Sequence, residues 1–211
     1  MILARDLTFS YRRSDTRVID GVDLDVSAGE FLAITGRSGA GKSTLLYLIG
    51  LLLRADSGAL RLGGRQVEAL TDRERSAIRA HEIGFVFQDA MLDTTRCVAD
   101  NVLEGQAYRR ASRSVARQRS ESLMDLLDIG IDPARKPGQI SGGQAQRVAL
   151  CRALVGEPQI LLGDEPTGNL DDETSGLVLD VLRAEANRGS SIVVVTHDPV
   201  VAAAADRIVR I

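Results

Sequence analysis

The eight residues GRSGAGKS, Gly36 to Ser43, constrain this chain more than any others. They fit the pattern G-x-x-x-x-G-K-[ST] without a gap. The apolar run FLAIT precedes them, and a second apolar run, Leu45 to Leu53, follows. Glycines let successive backbone N–H groups turn inward around an anion, where side chains would obstruct. A helix starting at the lysine adds its own unpaired N–H groups and the positive end of its dipole. The chain must therefore bring the carboxyl end of a strand against a helix N-terminus, as layered α/β folds do. Lys42 then offers a point charge to the β- and γ-phosphates, and the Ser43 hydroxyl a ligand for Mg²⁺. On this motif alone the nucleotide is ATP or GTP.

Two further apolar runs end in polar turns. QILLG (159–163) leads into DEPTGNLD, and SIVVVT (191–196) leads into HD. With little alternation, they read as strands buried on both faces of a parallel sheet. Helices lie between them. One follows the glycine loop through LLYLIGLLL, and one spans Asp172–Arg188 with Leu177, Val178, Val181 and Leu182 on one face. By contrast LARDLTFSY, VIDGVDLDVSAGE and GALRLGGRQV alternate, as an antiparallel sheet does. From about Met91 to Leu154 the pattern is mainly helical. In SESLMDLLDIG the spacing sets Leu123, Leu126 and Leu127 on one stripe, ended by Gly130. The expected division is a nucleotide-binding core with its β-subdomain (1–88 and 156–211) and an inserted helical subdomain (89–155).

Composition narrows the class. The 211 residues, 44% hydrophobic, suit one domain with an inserted subdomain. A net charge of -3 argues against a general nucleic-acid binder. No apolar run reaches the roughly 18 residues of a membrane span, and the N-terminus lacks the charged-then-apolar pattern of a secretory signal. Cys97 and Cys151 are isolated, so neither a metal site nor a disulfide is expected. The expectation is a cytosolic protein.

The strand ILLG delivers Asp164 and Glu165 to the sheet edge where open α/β folds bind ligands. Asp164 can meet the metal held by Ser43, and Glu165 can orient or deprotonate a water attacking the γ-phosphorus. His197 stands just past IVVVT on the same edge, placed for γ-phosphate contact. His81 reads as a surface or linker residue. ISGGQAQR (140–147) makes a second anion-binding helix start, with Ser141 as its cap. One nucleotide does not need two such starts from one subunit. A head-to-tail dimer uses both.

Together these motifs resemble the ATP-binding subunits of ABC transporters, over nearly the whole chain. GRSGAGKS looks like the Walker A motif: Gly36, Arg37, Ser38, Gly39, Ala40, Gly41, Lys42, Ser43, with Thr44 following. Gln88 in GFVFQD is similar to the Q-loop, which in the family touches Mg²⁺ or water. ISGGQ resembles the signature motif, bringing Ser141, Gly143 and Gln144, with Ile140 where leucine is usual. ILLGDE resembles Walker B, NLD ending at Asp171 the D-loop, and His197 the switch histidine. Tyr11 lies where the family places an aromatic ring on adenine, although Phe9 is close by. The resemblance implies a P-loop NTPase (RecA-like) core, ATP with Mg²⁺, and an ATP-dependent homodimer. In it Lys42 and Ser141 of opposite chains grip one triphosphate. It also implies a transmembrane permease as partner, and hence a place on the inner face of the cell membrane. DEPTGNLD and ALTDRERSAIRAHEIGFVFQ are similar to the group serving lipoprotein release, macrolide and peptide export, and cell division. DAMLDTTRCVADNV lacks the proline usual there and is similar to peptide or bacteriocin exporters.

YRRASRSVARQRS gathers Arg109, Arg110, Arg113, Arg117 and Arg119 with almost no acid. It reads as the solvated face of a helix, and a single aromatic gives no stacking platform for nucleic acid. Three functions compete: an energy-coupling ATPase of an exporter, a force-transmitting regulator of the cell-division type, and a soluble ATPase acting on nucleic acid or ribosomes. The third usually carries two cassettes, a coiled coil or zinc fingers in one chain, none of which is visible.

Overall fold

The apolar runs that precede the polar turns line up side by side. The computed structural model describes residues 1–11, 16–107 and 112–211. In chain order the elements are β1 (Ile2–Phe9), β2 (Ile19–Val26), β3 (Phe31–Thr35), α1 (Lys42–Ile49), β4 (Ser57–Leu62), β5 (Arg65–Gln66), α2 (Asp72–Glu82) and β6 (Ile83–Val86). There follow α3 (Val98–Glu104), α4 (Arg113–Leu126), a 3-10 turn (Pro137–Gln139), α5 (Gly142–Leu154), β7 (Ile160–Asp164), α6 (Asp172–Asn187), β8 (Ser191–Val195), α7 (Pro199–Ala204) and β9 (Arg207–Arg210). The alternating segments form an antiparallel sheet in the order β2-β1-β4-β5. The aliphatic runs form a second sheet, β6-β7-β8-β3-β9, whose pairs are all parallel.

The parallel sheet is a wall between two hydrophobic cores. Leu32, Ile34, Leu162 and Val193 face α1 and the antiparallel sheet. Phe31, Leu161, Ile192 and Val194 face α3–α6. Period-two alternation along each strand sends successive side chains to opposite cores, which is why these runs carry no polar face. Because all strands run the same way, their carboxyl ends share one edge, and the loops after β3, β7 and β8 meet there.

Two helices end earlier than their apolar patterns imply. α1 stops at Ile49 rather than running on to Leu53. Leu51 has a left-handed backbone, φ 58°, that keeps its side chain buried and turns Leu52 out to solvent. α4 stops at Leu126, before Gly130, because Asp128 takes φ 47°. Leu123 and Leu127 are buried as the stripe requires, but Leu126 is exposed, its place on the apolar face taken by Met124. His81 lies within α2, its Nδ1 2.7 Å from the Ala77 carbonyl.

The arginine stretch is not uniformly solvated. Arg109 and Arg110 lie outside the described residues, Arg113 opens α4, and Arg117 is exposed. Arg119 instead turns inward, 3.1 Å from Glu157 and 3.3 Å from the buried carboxylate of Glu185, which Arg188 also contacts. A buried carboxylate needs such cations to remain charged.

Candidate functional site

At the carboxyl edge of the parallel sheet lies a cleft of about 570 Å³. Its floor is the loop between β3 and α1. Gly41 opens α1 with φ 86°, and a Cβ there would stand 2.7 Å from the Val18 carbonyl. At Gly36 a Cβ would stand 2.1 Å from the Ile211 carbonyl. Both positions demand glycine because of what packs behind the loop. No side chain caps α1 and no acid sits in its first turn. α2, α5 and α6 are instead capped by Thr71, Ser141 and Asp171. The first N–H groups of α1 are thus left without a side-chain acceptor, the condition an anion satisfies.

Lys42 Nζ donates to the carbonyls of Gly36 (3.1 Å) and Arg37 (2.9 Å), so its ammonium hangs over the loop. The Ser43 hydroxyl donates to Asp164 Oδ1 at 3.0 Å, and the Tyr47 hydroxyl to Asp164 Oδ2 at 3.2 Å. Asp164, at the end of β7, is 2% exposed. Burial raises its carboxyl above the usual range, while those two hydrogen bonds act the other way. Burial and the carboxylate together push the Tyr47 phenol up to about 12.

Glu165 has a left-handed backbone, φ 49°, an uncommon conformation for a side-chain-bearing residue. Its amide donates to the Val195 carbonyl at 2.9 Å, tying the end of β7 to the end of β8. Its carboxylate lies 2.7 Å from His197 Nδ1 and accepts from the Thr196 hydroxyl at 3.2 Å. The hydrogen bond to Glu165 raises the His197 pKa above 6.5. The imidazole itself is largely in solvent.

Of the expected residues, Tyr11, Gly36, Ser38, Gly39, Gly41, Lys42, Ser43, Thr44, Gln88, Asp164, Glu165 and His197 line this one cleft. Arg37 and Ala40 belong to the loop without lining it; the Ala40 amide donates to the Arg37 carbonyl at 3.2 Å. The two aromatic candidates separate. Phe9 is buried in the core, whereas the Tyr11 ring stands edge-on to it at 4.9 Å with its hydroxyl 3.1 Å from Thr44 Oγ1.

Ser141, Gly143, Gln144 and Asp171 lie outside the cleft. Ser141 Oγ accepts from the Gln144 amide at 3.2 Å while Gln144 Oε1 accepts from the Ser141 amide at 2.9 Å. Asp171 accepts from the Thr174 amide at 2.8 Å, which lowers its pKa. The first turn of α5 packs against the residues just before Asp171: a Cβ on Gly143 would stand 3.4 Å from the Asn169 carbonyl.

Tyr47 and Thr196 were not anticipated. Tyr47 stands four residues after Ser43, on the same face of α1, and that spacing is a readable signal. Thr196 closes the apolar run before His197. Val18 and Val195 supply apolar lining.

A family profile described as ABC transporter matches residues 19–168. The macrolide export ATP-binding/permease protein MacB 1/2 of Paracoccus denitrificans is 43% identical over 195 residues, covering 92% of this chain and 29% of that protein. The lipoprotein-releasing system ATP-binding protein LolD of Paramagnetospirillum magneticum is 40% identical over 203 residues, covering 96% of this chain and 90% of that protein. The chain thus spans less than a third of that MacB relative, but nearly the whole of the LolD relative. A solved dimer of the ATP-binding cassette MJ0796, in a post-hydrolysis state bound to ADP and Pi, superposes with a TM-score of 0.93 at 34% identity. It covers 100% of this chain and 94% of that one. Cleft, fold and sequence agree, and the chain belongs to the ABC transporter family as an ATP-binding cassette.

Proposed function

We propose that this cassette hydrolyses ATP to drive a separate transmembrane permease, exporting or extracting a peptide, a lipoprotein or a hydrophobic compound. The observation that carries the reading is the convergence of Lys42, Ser43, Asp164, Glu165 and His197 from three strand ends into one cleft. The loop amides from Gly36 to Thr44 and the Lys42 ammonium hold the triphosphate, with the Ser38 hydroxyl beside them. Tyr11 offers its ring to the adenine. Glu165, held by His197 and Thr196, accepts the proton of the attacking water. His197 directs its other ring nitrogen toward the γ-phosphate.

Ser43, Asp164 and Gln88 are the residues that would hold Mg²⁺. The donor set fits: a hydroxyl and a carboxylate oxygen lie 3.0 Å apart. Among the described residues no group of three or more His, Cys, Asp or Glu side chains is placed to enclose a metal. Mg²⁺ is commonly held by one or two protein oxygens together with phosphates and waters. When bound, it neutralises charge on the β- and γ-phosphate oxygens.

The signature residues Ser141, Gly143 and Gln144, and Asp171, serve the nucleotide of a second copy. Their place outside their own cleft supports this, as does the dimeric state of the related cassette. Ser141 Oγ already accepts a hydrogen bond within its own helix, which leaves its proton free to donate to a phosphate. In the same scheme residues 89–155 form the body that carries Ser141, Gly143 and Gln144, and residues 1–88 with 156–211 the body that holds the triphosphate and carries Asp171. None of the described helices is long and apolar enough to cross a membrane. In this reading the cassette sits in the cytoplasm, held on the membrane's inner face by its permease.

The test is Glu165→Gln, which keeps the hydrogen-bonding shape and removes the base. Nucleotide affinity should stay within about twofold and turnover should fall by about 100-fold or more. Size-exclusion chromatography with ATP should then show a dimer. A variant that turns over at the parental rate defeats the assignment of Glu165. A variant that stays monomeric at saturating ATP defeats the two-copy site.

A further inference from the structure

We propose that Gln146 and Arg152, on the helix that begins with the signature motif, are positioning residues for Gln88. The inference rests on the reading that Gln88 serves the nucleotide site. Gln88 is exposed in the cleft, on a loop between β6 and α3, so something must fix where it points. Gln146 Nε2 donates to the Phe87 carbonyl at 3.0 Å, one residue before it. Arg152 donates to the Ala90 and Met91 carbonyls, both at 2.8 Å, two and three residues after it. The donors stand six residues apart on α5, a rise of about 9 Å. They therefore pin both flanks of the Gln88 loop to one rigid rod. All three contacts are to main-chain oxygens, so they fix the path of the loop whatever its side chains do.

Two features set these residues apart from core filler. Gln146 is 2% exposed, and its Oε1 has no hydrogen-bond partner. Leaving a buried carbonyl unpaired costs free energy that an apolar side chain of similar volume would avoid. The amide is thus useful for its one donated bond, not for packing. Arg152 has no carboxylate among its hydrogen-bond partners. Burial lowers its pKa, with Glu104 acting the other way. A guanidinium presents two parallel donors in a fixed fork, which suits successive carbonyls on a turning backbone. At Met91 the backbone takes φ 46°, so the turn that presents those carbonyls is itself held in an uncommon conformation.

The consequence is mechanical. The cap Ser141 and the strap donors Gln146 and Arg152 belong to one helix, so the group offered to the partner's nucleotide and Gln88 shift together.

The chain has no tryptophan, so Met91→Trp, at an exposed side chain, reports on the loop alone. In that background Gln146→Leu and Arg152→Met should each lower the tryptophan's steady-state anisotropy and raise its quenching by acrylamide. Arg152→Lys should restore part of both. ATP turnover supplies the second arm. Gln146→Leu should lower kcat about tenfold and leave the KM for ATP within about twofold, since the loop amides that grip the phosphates are untouched. With Gln88→Ala already present it should add less than about twofold, because both changes then remove the same thing. Anisotropy unchanged in Gln146→Leu and in Arg152→Met overturns the proposal. So does a kcat loss of equal size with and without Gln88. If Gln88→Ala by itself turns over at the parental rate, the assignment of Gln88 to the nucleotide site fails, and the anisotropy then decides on the strap separately. Should Gln146→Leu not fold, Arg152→Met carries both arms, with Arg152→Lys as its rescue.

Discussion

Glu165 and His197 are a hydrogen-bonded pair at the mouth of the cleft, and the bond bears on the charge of the imidazole. Hydrogen bonding to Glu165 favours the imidazolium, so the folded-state pKa of His197 lies above its ordinary 6.5. The stability this contributes is fully present below pH 6.5 and is lost as pH rises through the raised value. His197→Ala should therefore lower the melting temperature of the nucleotide-free cassette below pH 6.5, and the gap should close as pH rises through the raised pKa. A gap that persists at alkaline pH would show that the imidazole stabilises by packing rather than by charge. At this scale Lys42, Ser43, Asp164, Glu165 and His197 were all legible, because each stands at a fixed offset from a strand end. Tyr47 was not. A tyrosine inside LLYLIGLLL reads as core; its four-residue spacing from Ser43 puts it on the same helix face, but the fold is needed to show that its hydroxyl reaches Asp164 while its ring stays among Phe85 and Phe87.

Elements were legible in kind more than in extent. The aliphatic runs gave the parallel strands and the alternating runs the antiparallel ones, because burial on two faces or on one leaves those two patterns. Helix ends were harder to read. Leucines continue past Ile49, but hydrophobicity does not report that Leu51 adopts a left-handed backbone. Caps were readable, and Ser141 shows that a cap can hold two duties. Its hydroxyl caps α5 within the chain and is proposed to donate to phosphate across the dimer. Aspartate caps as well as serine does but cannot donate and carries charge. Ser141→Asp should keep monomer stability within about 0.5 kcal/mol and abolish ATP-dependent dimerisation. Ser141→Ala should cost about 1 kcal/mol in urea unfolding and also impair the dimer. Equal dimerisation by the parent and Ser141→Asp would leave only the capping role.

Across the whole molecule, helices α3–α6 share one core behind the parallel sheet, and an ion cluster ties its outer margin. Arg119 of α4 reaches Glu185 of α6, whose side chain is 3% exposed. The sequence hid this link, since Arg119 looks like one more arginine in a basic run and Glu185 like a polar break in a helix face. Their partnership is 66 residues long and only the packing makes it. Arg119→Ala leaves Glu185 with Arg188 alone. The expected loss is about 2 kcal/mol by chemical denaturation, below the 3–5 kcal/mol or so of a buried carboxylate left without any cation. Removal of the exposed Arg188 should cost less. No change for Arg119→Ala would mean that water reaches Glu185 freely.

One short helix shows how folding prepares the cleft. α1 opens toward the cleft without a cap. At its other end the Leu51 carbonyl accepts from both Arg75 and Arg79, with Arg75 itself buried. Two cations therefore sit against the negative end of the helix dipole before any nucleotide arrives. The far pole is matched once, during folding, by residues of α2 that never touch the ligand. Only the near pole remains to be answered, and a phosphate answers it without any charge having to be gathered at the moment of binding. The proposed phosphate site is thus preorganised from behind, and a substitution in α2, remote from the cleft, can weaken the grip on an anion it does not contact.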